Sequence, residues 1–447
     1  MVSQFKQAYS SLFLSPRFFI GLGVLILLFV LSFIVPWLFL VSKILFVGFM
    51  LVPVAEIVFL FTGAGIEAHR TLAAKFSNGD ENPINIHLRS YYGFPSRVEI
   101  YDELPAEWQV RDFYKALNLK AGDDQTIRYS YRPTRRGAFS FGHIQVLVTI
   151  GLGFVQRKIS CGTPLEVAVY PSYLSMLKYE YLAISNTLID SGIKKIRRIG
   201  QHSEFEKIKD YVAGDDFRTI NWKATARRGK LMANLFQDER SQQVYCILDK
   251  GRVMNQPFEN MTLLDHAINA SLVLANIAIK KYDKAGLLAF DEEQVQMLPA
   301  SRKSGHMLQF QEMLYRQSTR FQESDYERLF LKLKHQVTQR SLLILFTNFD
   351  TVSSMQRRLP YIKAMAKNHL LLVVFFENTE TLQLIHKKAQ NTHDVYRKMV
   401  AEKVRFEKEQ IVAELRKNGI LSLLSSPADL TLNTINRYLE LKARGMI

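Results

Sequence analysis

From Phe18 to Phe61 the chain is apolar almost without interruption, reading FFIGLGVLILLFVLSFIVPWLFLVSKILFVGFMLVPVAEIVFLF. A helix crosses a hydrocarbon core about 30 Å thick in roughly 20 residues, so the run is too long for one crossing. Pro36 breaks a helix, Trp37 suits an interface, and Ser42 with Lys43 adds a polar interruption. The pattern predicts a two-helix transmembrane hairpin, 18–35 and 44–61, inside an N-terminal segment 1–69. Glu56 has Pro53 nearby and no basic partner in either span, so it reads as a residue near a helix end rather than a functional intramembrane acid.

Beyond the hairpin the period changes twice. Between 70 and 172 short alternating runs (INIHLRS, RVEIYDEL, TIRYSYRP, FSFGHIQVLVTI, LEVAVYP) are separated by turn signals (NGDENP, YYGFPS, AGDDQ), which predicts an antiparallel β-sandwich. Only Arg111–Leu119 offers a helical period there, and the acids Asp102, Glu103, Asp123 and Asp124 sit in turn contexts where solvated side chains are expected. From 244 to 447 buried-type strands (VYCILD, AGLLAF, SLLILFTNF, HLLLVVFF) alternate with helical segments near 262–282, 324–338 and 353–367. That alternation predicts an α/β doubly wound, parallel sheet. The stretch from Thr379 to Ile447 reads as amphipathic helix interrupted by GILSLLS, and 173–243 is left as a linker.

Composition refines the picture in three places. Cys161 and Cys246 are too few and too far apart for a disulfide framework or a metal site, which suits a reducing compartment. The net charge of +16 fits nucleic acid, an anionic membrane surface or an acidic partner, and the apolar hairpin favours the membrane surface. Lys6 and Arg17 precede the spans and Arg70 and Lys75 follow them, with Lys43 alone between, so both flanks are expected in the cytoplasm and the chain reads as a multi-pass inner-membrane protein. No small-residue cleavage pattern follows the first apolar run, so a signal peptide is disfavoured. The basic run Lys194–Lys195–Ile196–Arg197–Arg198 suits membrane lipid, and no interleaved aromatics point to nucleic acid.

The most distinctive stretch lies between Glu204 and Met254. Glu204, Phe205, Tyr211, Gly214, Asp215, Asp216, Arg218, Ile220, Trp222, Ala226, Arg227, Leu231, Phe236, Glu239, Asp249, Gly251, Arg252 and Met254 together resemble the signature of the domain of unknown function 58 family. Upstream Arg135–Arg136–Gly137, Gly142, Gly151–Leu152–Gly153–Phe154 and Tyr170–Pro171, and downstream Asn436–Arg437–Tyr438 and Leu441–Lys442, extend the likeness over nearly the whole chain. The resemblance implies bacterial membrane proteins that join a β-sandwich to a von Willebrand factor type A-like domain. It also implies a MoxR-type AAA+ ATPase as partner and a role in assembling or maturing a protein client at the cell envelope. The chain itself has no Gly-x-x-x-x-Gly-Lys-[Ser/Thr] run, so any P-loop motor belongs to another protein.

Several residues carry candidate chemistry. Gly214, Asp215, Asp216, Arg218, Trp222, Arg227 and Glu239 are expected to form a domain latch in which Asp–Arg bonding sits over a buried Trp222, with a recognition surface as the alternative. A hydrolase using Asp215, Asp216 and His202 or His266 is the rival from another class, though no nucleophile and base are adjacent. Where the resembled fold carries Asp-x-Ser-x-Ser for a divalent cation, this chain has Asp249–Lys250–Gly251–Arg252–Val253. The lost hydroxyls and added cations predict no metal and no cofactor, with Asp249, Ser324 and Asp350 as weak ligand candidates and a cation-dependent adhesion module as the alternative. Asp249, Lys250, Arg252 and Asp350 are instead expected to form a partner site in which Lys250 and Arg252 meet an acidic protein. The reading is a non-enzymatic interaction or scaffold protein.

Overall fold

The computed structural model describes residues 11–62, 65–110, 113–184, 203–212, 217–238, 241–258, 260–319 and 322–447. They fall into two compact units, one of residues 1–77 with 81–169 and one of 78–80 with 170–447.

The first unit holds two apolar helices and a set of antiparallel sheets. The helix Pro16–Leu31 starts with Pro16 behind the Ser15 cap, whose hydroxyl accepts from the Arg17 N–H. The second helix runs Leu38–Thr62, so Pro36 and Trp37 do form the connection, but Ser42 and Lys43 lie inside the helix and not in the turn. The interior tolerates both: Ser42 is buried, and the Lys43 ammonium sits 4.3 Å from the Phe39 ring centre. A five-stranded antiparallel sheet begins with the edge strand Leu12–Leu14, which pairs with Val155–Cys161, followed by Ile144–Thr149, Ser96–Asp102 and Tyr114–Leu119. Tyr114–Leu119 is therefore a strand and not the helix its period suggests, its exposed and half-exposed side chains giving a weak alternation signal. Smaller sheets join Ile66–Leu72, Asn82–Ser90 and Asp124–Tyr131, and Lys75–Ser77, Leu165–Tyr170 and Gly137–Phe141. Ile86, Val98, Ile100, Val146, Val148 and Val155 fill the core between them, together with Leu60 from the second apolar helix. Asp102 is buried, not solvated: it pairs with Arg70 and accepts the Tyr129 hydroxyl.

The second unit is built on a six-stranded sheet in the order Val295–Ser301, Lys284–Phe290, Gln243–Asp249, Leu342–Phe346, Leu370–Phe376, Leu421–Ser425. All neighbours are parallel except the antiparallel edge strand Val295–Ser301. GILSLLS thus closes the sheet as a parallel edge strand. The helix Leu263–Lys280 is long and apolar enough to cross a membrane by composition, yet it lies buried in the core of this unit. It opens with a capping box between Thr262 and Asp265. The order reverses at Gln243–Asp249, the central strand, so loops diverge to either side of its carboxyl end and leave a crevice there.

Candidate functional site

Two places in the second unit carry the residues with chemistry. At the carboxyl end of the central strand Asp249 is only 1% exposed and fully engaged. Its Oδ1 accepts the Gly251 N–H at 2.9 Å and the Ser324 hydroxyl, and its Oδ2 accepts the hydroxyls of Tyr326 at 2.9 Å and Thr347 at 2.6 Å. Burial, reinforced by the Asp249 charge, raises the Tyr326 phenol well above its ordinary pKa, so it stays a donor. Glycine at 251 has a steric reason: a Cβ there would come within 2.6 Å of Ser324 Oγ.

The cations at this edge do not behave as the sequence suggests. Lys250 is 5% exposed and its Nζ lies 2.9 Å from Asp291, itself buried, so it is an internal ion pair and not the centre of a partner surface. Asp291, at the end of the neighbouring strand, draws it inward. Arg252 does stay at the surface, 3.9 Å from Glu323. Asp350 is exposed and accepts from Gln256 at 3.3 Å. Sequence reasoning missed Lys408, which comes from the long helix Thr392–Lys417 and donates to Asn348 Oδ1 at 2.5 Å and to the Phe349 carbonyl at 2.7 Å. Burial lowers the pKa of its ammonium to about 8, against an opposing pull from Asp350. Arg358, over the Tyr326 ring at 5.3 Å, was also missed. Neither residue belongs to a motif near Asp249, so only the fold brings them there.

A divalent cation fits this set poorly. Both Asp249 oxygens already take two donors each. A hard cation needs free oxygen lone pairs from several groups.

The second place is the hairpin Ser203–Asp210 with Met232–Asp238 and the short helix Trp222–Arg228 between its strands. The Asn221 side chain caps that helix through the Ala224 N–H and bonds Asn234, Thr225 accepts from the Met232 N–H, and Ile220 bridges to Ala233. With those contacts made by its neighbours, Trp222 is left 69% exposed, so it is not the buried floor of a latch. Lys223, Arg227, Arg228 and Lys230 are exposed around it, as are Phe217 and Leu231. Gly214, Asp215, Asp216, Glu239, His202 and the basic run 194–198 lie outside the described residues, as does the side chain of Arg218. His266 is half-buried on the helix Leu263–Lys280, 3.4 Å from the Phe258 carbonyl.

The family model described as "Protein of unknown function DUF58" matches residues 207–407. That span contains Trp222, Arg227, Asp249, Lys250, Arg252, Ser324 and Asp350. It is narrower than the resemblance read from the sequence, since the upstream motifs and the ending Asn436–Lys442 fall outside it. The uncharacterized protein YeaD of Bacillus subtilis (strain 168) is 25% identical over 264 residues, 57% of this chain, and the match spans 63% of that relative's length. Among solved structures, the CARDB domain of the PF1109 protein from Pyrococcus furiosus is 12% identical at a TM-score of 0.18, covering 24% of this chain and 90% of that one. The ASH / PapD-like domain of human CEP192 is 9% identical at 0.19, covering 25% and 88%.

Proposed function

We propose that this chain is a membrane-anchored, non-catalytic binding protein of the DUF58 type whose signature hairpin docks a protein partner. In this reading the antiparallel unit is a β-sandwich carried by two transmembrane helices, and the second unit is a von Willebrand factor type A-like domain without a metal. A MoxR-type AAA+ ATPase is the partner, supplying the motor that the chain lacks. The observation that carries the reading is Trp222, exposed on a hairpin whose internal bonds do not use it, with Lys223, Arg227, Arg228 and Lys230 exposed on the same short helix and the turn after it. Trp and Arg are the side chains most enriched where interfaces concentrate their binding energy, and a large exposed aromatic among cations suits a partner with an apolar, acidic face.

The test is a crosslinking pull-down from intact membranes with the full chain and with Trp222→Ala. The wild type is expected to capture an AAA+ ATPase, and Trp222→Ala to retain its melting temperature while capture drops at least tenfold. Undiminished capture by the folded variant would sink the hairpin as the docking surface. Absence of any AAA+ partner from wild-type membranes would sink the ATPase assignment.

A further inference from the structure

The reading of Pro16–Leu31 and Leu38–Thr62 as membrane spans leaves a deficit that the first unit itself makes good. Sixteen residues of helix reach about 24 Å, short of a hydrocarbon core of about 30 Å, whereas the 25 residues of the second helix reach about 37 Å. What precedes the short helix is not a polar loop but Leu12–Phe13–Leu14, a strand that adds about 10 Å of apolar chain. An extended segment at that depth must have its backbone paired. This one is paired along one side: Leu12 to Leu14 lie in register with Arg157 to Val155, Lys158 N–H donates to the Ser11 carbonyl at 2.7 Å, and Ser15 N–H donates to the Phe154 carbonyl at 2.9 Å, while its other side is the open edge of the sheet, which suits the headgroup boundary rather than the hydrocarbon interior.

The loop 151–154 lies at the same level. The Phe154 ring centre is 5.0 Å from that of Phe49 and 6.3 Å from that of Phe18, which places the loop beside the first turn of the short helix. Phe49 is 13 residues, or about 20 Å, before the end of the second helix, so the loop runs alongside apolar helix rather than beyond it. Glu56 is 4% exposed at this depth, and its carboxylate accepts the N–H groups of Gly153, Phe154 and Val155, each at 2.9 Å. An acid that would be unpaired in an apolar span is thereby matched by three oriented dipoles of the loop. The loop has to be glycine-rich to reach it: Gly151 and Gly153 have φ of +55° and +76°, and a Cβ on Gly151 would stand 3.0 Å from Glu56 Oε1. Arg17 Nη1 donates to the Leu152 carbonyl at 3.3 Å and Arg157 Nη1 to the Leu60 carbonyl at 2.5 Å. Between those fixed points Leu152 is 59% exposed, and Phe13 and Leu14 are exposed too, as are Val54, Val58 and Phe59 on the second helix.

We infer that the β unit is seated in the bilayer, with the rim made by Phe13, Leu14 and Leu152 resting at the boundary between acyl chains and headgroups of the leaflet on its own side. The occupant of this rim is lipid, because it runs directly into the first span, packs through Phe154 against both apolar helices, and makes up the length the first span lacks. The inference rests on the membrane-anchored reading above.

The test uses the full chain in phosphatidylethanolamine–phosphatidylglycerol vesicles, with Phe13→Cys, Leu152→Cys and, in a turn of the same unit, Lys120→Cys each carrying an NBD fluorophore. Equally treated wild type serves as the blank for Cys161 and Cys246. Lipids brominated near the headgroup are expected to quench positions 13 and 152 at least twofold, with aqueous iodide quenching them weakly, and position 120 is expected to show the reverse. Free iodide quenching at 13 and 152, in a protein that floats with the vesicles and resists alkaline extraction, would overturn the seating while leaving the anchor intact. Protection from both quenchers would mean that protein, such as a second copy, covers the rim, which also overturns it. Loss of the protein on alkaline extraction would remove the anchor and this inference with it.

Discussion

Asp249 is held by the residues around it at both carboxylate oxygens. Four donors converge on it, so it behaves as a structural acceptor that ties the central strand to the loops carrying Ser324, Tyr326 and Thr347. Asp249→Asn would turn one acceptor oxygen into a donor facing donors, and Asp249→Asn is expected to cost about 2 kcal/mol or more, read as a lower midpoint in urea, whereas Thr347→Val removes one of the four bonds and should cost about 1 kcal/mol. Equal small effects of both would mean that the network is slack. Lys250 follows the same logic. Its ammonium is matched by a buried Asp291, so Lys250→Glu would place two carboxylates together in the interior and is expected to cost about 3 to 5 kcal/mol instead of acting only on partner capture. Arg252→Glu, at the surface, should change stability by less than about 0.5 kcal/mol. The strand end at Asp249 was legible in the sequence, but its role was not: Asp249 was expected in a partner site or as a weak metal ligand, and the structure buries it among four donors. The sequence could not show which way Lys250 turns, since a strand end followed by Lys-Gly-Arg is compatible with either direction until Asp291 is brought alongside.

At the scale of elements, the alternation of short apolar strands with helical periods was enough to place the sheet of the second unit. VYCILD, AGLLAF, SLLILF and HLLLVVFF all became neighbouring parallel strands, because residues buried on both faces leave no polar alternation to mislead. The strand Val295–Ser301 and the helix His306–Tyr315 went unread: half-buried side chains at a sheet edge blur both periods. Long-range partners were invisible for the same reason that Lys408 was missed, namely that a lysine in a charged helix reads as solvated until the helix docks on a strand end. That docking gives a pH test. With its folded pKa lowered to about 8 from an ordinary 10.5, Lys408 binds fewer protons folded than unfolded between those values, so stability should rise with pH across that window. The penalty is full below pH 8. The melting temperature of the wild type relative to Lys408→Met is therefore expected to climb between pH 8 and 10; a flat difference would mean that the ammonium is hydrated in solution.

At the scale of the whole molecule, the first unit constrains topology in a way that charge counting alone does not. Leu12–Leu14, before the first apolar helix, and Ile66–Leu72, after the second, belong to the same antiparallel unit, and Leu12–Leu14 is hydrogen-bonded to a strand that comes ninety residues after the hairpin. One folded unit cannot sit on both sides of a bilayer, so under the membrane-spanning reading the two helices must return the chain to the side from which it started. The charge bias then selects the side. Arg17 and Arg70 flank the pair and Lys43 lies within the second helix near its start, so under that same reading the positive-inside rule would put the shared unit in the cytoplasm. Protease added to intact cells or right-side-out vesicles is accordingly expected to leave the chain uncut beyond the hairpin, and inside-out vesicles to release large soluble fragments. Recovery of such a fragment from the outside would reverse the orientation but not the hairpin. Cleavage before Leu12 from one side with the first unit beyond Thr62 open only to the other would contradict the hairpin itself, because it would require an odd number of crossings between strands that are bonded to one another.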